Sequence, residues 1–90
     1  MKSIELYGGD FSSRGEIHEY LADTLEFPSY YGRNLDALHD CLTDLAEDAE
    51  LTVYDGDAIC EYAGETWYES FCRALTDAAE ENTHFSWSEG

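Results

Sequence analysis

Residues 27 to 45 read FPSYYGRNLDALHDCLTDL, a turn that runs into an apolar stripe at helical spacing. Pro28 biases Phe27 away from the helical region and so closes any helix before it. Ser29-Tyr30-Tyr31-Gly32 is a turn, and Asn34 is a good N-cap. Leu35, Leu38, Leu42 and Leu45 then recur every three or four residues, which predicts a helix over 35–47 with one buried face. At about 100° per residue, Asp36, Asp40, Thr43 and Glu47 crowd within about 60° of one another on the other side, with His39 at the margin. Like charges four places apart repel by roughly 0.2 to 0.5 kcal/mol. The helix dipole offsets that for Asp36 alone.

Upstream, residues 2 to 7 alternate, with Ile4 and Leu6 on one side and Ser3, Glu5 and Tyr7 on the other, until Gly8 and Gly9 end the run. That is the pattern of a half-buried strand. Ser13 and Glu16 form a capping box, and Ile17, Tyr20, Leu21 and Leu25 follow at helical spacing, predicting a helix over 14–26.

Downstream, LTVYD at 51–55 alternates again. Asp57 is placed to cap a short helix over 58–63 that Gly64 closes. Thr66 with Glu69 reads as a second capping box, after which Trp67, Phe71, Cys72, Leu75, Ala78 and Ala79 supply a buried face. In HFSWS, Phe85 and Trp87 point to one side, as in a final strand.

Strands separated by helices cannot form tight hairpins, so the sheet is expected to be parallel with right-handed crossovers. Each strand is apolar on one face only, whereas a sheet covered on both faces reads as continuous apolar runs. The expected fold is therefore α/β in two layers, a three-stranded parallel sheet with its helices packed on one face. At 90 residues the chain has room for one core, and a single domain over 1–90 is expected.

The charge is far from balanced: 21 acidic residues face 4 basic ones, for a formal net charge of −17. A field of that sign repels nucleic acid and anionic membranes and favours a basic protein as partner. Acids recur in every segment, among them Glu16, Glu19, Asp23, Glu47, Asp48, Asp57, Glu65, Asp77, Glu80 and Glu81. A solvated coat, as in proteins of salt-loving organisms, explains most of them, so a focused patch needs its own argument. That argument is the loop: Tyr30 and Tyr31 set flat aromatic anchors at the mouth of the acidic helix, a combination frequent in interface hot spots, with at least one of the two rings expected to pack onto the core instead.

Little points to catalysis or metal binding. Cys41, Cys60 and Cys72 leave one thiol over from any pairing and form no CxxC motif, which suits buried thiols in a reducing cytoplasm. His39 and Cys41, two apart on a helix, diverge, so no metal site is expected. Cys41 with His39 or His84 could be assembled on paper into a thiol enzyme, but Cys41 falls beside the leucine stripe, where a buried thiol is inert. The polar N-terminus is no signal peptide, and no apolar run approaches a membrane span.

The run Tyr-Tyr-Gly-x-Asn-Leu-Asp-Ala-Leu-x-Asp-Cys-Leu-Thr from Tyr30 to Thr43 closely resembles the signature of the barstar family of ribonuclease inhibitors, and the order of elements resembles that family over the whole chain. The resemblance implies a non-enzymatic protein, without cofactor and a monomer when free, that plugs a basic ribonuclease active site with its second helix and preceding loop. Tyr30, Tyr31, Gly32 and Asn34 would form the loop contact. Asp36 and Asp40 would meet the enzyme's arginines, lysines and histidine, with His39 and Thr43 beside them, and Asp77 and Glu81 would add contacts from the last helix. His39 and Leu45 stand where the family carries tryptophans, Arg33 where it carries an acid, and Asp77 where it carries a glutamate. The alternative is a barstar-fold interaction module with a basic partner that is no nuclease.

Overall fold

The computed structural model describes residues 2–90. Along the chain it has β1 (Lys2–Tyr7), a 3-10 turn over Gly8–Asp10, α1 (Arg14–Leu25), α2 (Leu35–Thr43), β2 (Ala49–Tyr54), α3 (Gly56–Ala63), α4 (Glu65–Glu81) and β3 (Phe85–Glu89). The strands lie parallel in the order β1-β2-β3. Ile4 stands beside Leu51 and Leu51 beside Trp87, while Glu5, Thr52 and Ser88 form the neighbouring row.

That register sorts the sheet into two unlike faces. Ile4, Leu6, Ala49, Leu51, Val53 and Phe85 are at most 3% exposed and join one core with Ile17 and Leu21 of α1, Leu38 and Leu42 of α2, Ile59 of α3, and Phe71, Leu75 and Ala78 of α4. Ser3, Glu5, Tyr7, Glu50, Ser86 and Ser88 face solvent, where Tyr7 and Tyr54 stack at 4.7 Å. The helices therefore cover one face, and the two-layer parallel architecture expected from strand alternation is the observed one.

Several boundaries differ from expectation, each for a local reason. Helix α1 ends at Leu25 because Glu26 turns left-handed at φ 57° and the Phe27 N–H donates back to the Ala22 carbonyl at 2.9 Å, a Schellman-type closure that precedes any effect of Pro28. Strand β2 begins at Ala49 rather than 51, since it pairs with Lys2 and Phe85 on its two sides. Helix α3 starts at Gly56, not 58. Asp55 adopts φ 57° and its carbonyl accepts from Ala58 N–H at 3.0 Å, so backbone caps the helix and Asp57 is a first-turn residue.

The capping box expected at Thr66 and Glu69 does not form. Gly64, at φ 94°, donates to Cys60 to close α3 and accepts from Tyr68 N–H to open α4, a conformation that favours glycine. One residue thus turns one helix directly into the next. The Ser13 box does form in modified shape: Ser13 Oγ accepts from Glu16 N–H at 3.3 Å, and the Glu16 carboxylate accepts from the Ser12 rather than the Ser13 N–H, at 2.9 Å.

Helix α2 is the largest departure. It stops at Thr43, not 47, because buried Asn82 at the end of α4 donates Nδ2 to the carbonyls of Leu42 at 2.9 Å and Leu45 at 3.0 Å. The Leu42 carbonyl would otherwise serve the next helical turn.

Candidate functional site

Asn34 opens α2 by accepting from the Ala37 N–H at 2.8 Å, and its Nδ2 donates back to the Gly32 carbonyl at 3.3 Å. Gly32 sits so close that a Cβ on it would lie 3.1 Å from that amide nitrogen and 3.5 Å from the Ala37 Cβ. Arg33 takes φ 51° and pairs its guanidinium with Glu19 of α1. The loop is thereby tied at one end to the helix it precedes and along its length to the helix before it.

The two tyrosines have opposite fates. Tyr30 is 86% exposed and projects from the loop, whereas Tyr31 is 6% exposed and belongs to the core. Its hydroxyl lies 2.5 Å from Nδ1 of His18, and its ring packs on Phe27 at 5.0 Å. Buried His18 also meets the indole of Trp67 edge-on. Burial, helped by the charge of Arg33, holds the His18 imidazole below its ordinary pKa, and burial pushes the Tyr31 phenol up. Both stay neutral near pH 7, and one donates to the other. Tyr31 thus offers a partner little surface; it anchors the loop that presents Tyr30.

On α2, fully buried Leu38 and Leu42 turn Asp36 and Asp40 outward. The Asp40 side chain is 81% exposed, and its nearest basic group is the imidazole of its neighbour His39, with Nδ1 at 3.6 Å. His39 Nε2 pairs with Glu81 across on α4. The Glu81 carboxylate, with Asp40 adding, holds the His39 imidazole above its ordinary pKa. Thr43 is half-buried and donates its hydroxyl to the Asp40 carbonyl at 2.9 Å. It therefore secures the helix end more than it faces outward.

Two grooves flank this ridge. One, of about 450 Å³, runs between the loop and α2 and is bordered by Tyr30, Tyr31, Asp40, Cys41 and Leu45. The other, of about 380 Å³, separates α2 from α4 and gathers Asp36, His39, Arg73 and Asp77. The face thus collects Tyr30, Gly32, Asn34, Asp36, His39, Asp40, Asp77 and Glu81. Glu47 is not part of it, since it lies beyond the end of α2 in the connection to β2. Two acids expected in the solvated coat are also engaged: Glu19 holds Arg33, and Asp48 holds His84 at 2.8 Å.

Sequence reasoning missed the supports behind the face: His18, Glu19 and Asn82. None carries a local signal, because each acts on a segment distant in sequence. Burial raises the Cys41 thiol, and Asp44 and Asp40 raise it further, the reverse of what activates a nucleophile. Among the described residues no group of three or more potential ligands could hold a metal. No helix among them is long and apolar enough to cross a membrane.

Comparison with known proteins bears on the family of the chain. The family model described as Barstar (barnase inhibitor) matches residues 1–87. A Bacillus subtilis (strain 168) protein named "Putative ribonuclease inhibitor YrdF" is 56% identical over 43 residues, which are 48% of this chain and 47% of that protein. The similarity therefore spans about half the length of that curated relative.

Proposed function

The chain belongs to the barstar family, and from that premise we propose that residues 1–90 act as a single, monomeric, non-enzymatic domain that inhibits a basic ribonuclease of barnase type in the cytoplasm. The observation that carries this reading is the placement of Tyr30, 86% exposed, beside an Asp40 carboxylate that is 81% exposed. A ribonuclease site is built to hold RNA phosphates with arginine, lysine and histidine. Asp36 and Asp40 enter that site as phosphate substitutes, Asp40 centrally, and Tyr30 covers the rim as an aromatic anchor. Gly32 and Asn34 keep the loop close to the helix, and Asp77 and Glu81 extend the negative surface onto α4.

The pair Asp36 and Asp40 repel each other in the free protein by a few tenths of a kcal/mol. A cationic site relieves that repulsion on docking. The net charge of −17 speeds encounter with such a partner.

The direct test is to titrate the protein into barnase while RNA hydrolysis is followed. Loss of activity at one equivalent supports the reading. Hydrolysis that continues unchanged at excess inhibitor contradicts it for this enzyme and favours the second reading, a basic partner that is no nuclease. That second reading has its own observation: His39 and Leu45 occupy positions where the family carries tryptophans.

A further inference from the structure

His39 lies across the cleft between α2 and α4. Its Nε2 pairs with the Glu81 carboxylate and its Nδ1 lies 3.6 Å from that of Asp40, while its own side chain is only 30% exposed. The charged groups around it are Asp36 and Asp40 on α2 and Arg73, Asp77 and Glu81 on α4. Four carboxylates to one guanidinium favour the imidazolium.

We propose that His39 is an internal counter-ion of the binding face: in the free protein its imidazolium is shared between the Glu81 and Asp40 carboxylates and offsets part of their charge, and an arriving arginine or lysine of the partner displaces its proton. This rests on the reading of the α2 and α4 face as a cation-binding protein interface. A guanidinium that reaches both carboxylates stands beside the imidazolium, and like charges at that distance repel. The lower-energy complex is the one in which His39 gives its proton to solvent. Binding is then coupled to release of one proton, and affinity rises with pH by up to tenfold per unit between the His39 pKa in the complex and that in the free protein.

The experiment is an NMR titration of the His39 ring protons in the wild type, in Glu81→Gln, and in the wild type with tetra-arginine as the probe. His84, which is paired with Asp48 at 2.8 Å, serves as the internal control. The expected result is a His39 pKa above the ordinary histidine value that falls in Glu81→Gln and falls also in the wild type with tetra-arginine, while His84 holds still. A His39 titration indifferent to both changes overturns the proposal, and it does so even if the protein inhibits barnase. A responsive His39 in a protein that leaves barnase untouched supports the counter-ion role and counts only against the ribonuclease reading.

Discussion

The Tyr31 hydroxyl and His18 Nδ1 meet at 2.5 Å inside the core, so the loop before α2 is held from beneath by a titratable bond. Desolvation, and then the charge of Arg33, lower the His18 pKa from 6.5. The unfolded chain therefore takes up the proton first. The contribution of neutral His18 is fully present above about 6.5 and is lost as pH falls from there through the folded pKa. The urea midpoint of the wild type is expected to drop on mild acidification more steeply than that of His18→Gln. Parallel pH profiles for the two proteins would contradict this. Tyr31→Phe, which leaves His18 without its partner, should cost about 1 to 3 kcal/mol in the same assay.

Tyr30 and Tyr31 are neighbours with separable roles. Tyr30→Ala removes an exposed ring and should alter stability by no more than about 0.5 kcal/mol, yet weaken partner binding by about 2 kcal/mol or more. Urea denaturation and calorimetric titration of the same sample measure the two effects. A Tyr30→Ala protein that binds as tightly as wild type would remove the loop from the interface.

Asn82 sets the length of α2 by holding the carbonyls of Leu42 and Leu45, 40 and 37 residues away in sequence. Asn82→Ala removes the side-chain donor from both carbonyls, leaving Leu42 with the long 3.4 Å bond from the Leu45 N–H, and should destabilise the protein by about 1 to 3 kcal/mol. Hydrogen exchange should quicken first in the last turn of α2, near Asp40 and Thr43. Unchanged exchange there would show that the helix end is set by something else.

What was legible in the sequence follows from the range of the forces involved. Alternation of Ile4 and Leu6 with Glu5 revealed a one-sided strand, and Asn34 and Ser13 revealed helix starts, because each pattern acts within a few residues. The end of α2 was hidden, since Asn82 arrives from another element. Asp55 turning left-handed displaced Asp57 from its expected cap, and Gly64 took the role assigned to Thr66. In the candidate site, Asp36, Asp40 and Tyr30 were legible from helical phase and the turn. That one ring of the pair packs onto the core was also legible, but that it is Tyr31 was not, because its burial depends on His18 in another helix.

Salt separates steering from contact. At about 1 M ionic strength the Debye length is about 3 Å, so the long-range pull of a −17 protein disappears while contact pairs persist. Stopped-flow mixing with barnase across a KCl series should show an association rate that falls steeply and a dissociation rate that changes much less. The opposite pattern would mean that the coat, not the face, holds the complex together.

The most direct measurement is the dissociation constant for barnase of Asp40→Ala beside that of Glu50→Gln, a change to an exposed acid on the open side of the sheet. The account predicts a loss of about 2 to 5 kcal/mol at Asp40, because buried cations of the enzyme are left unpaired, which is roughly thirtyfold or more. At Glu50 it predicts almost none. Equal losses at the two positions would contradict it, since Asp40 would then be one charge of the coat among many.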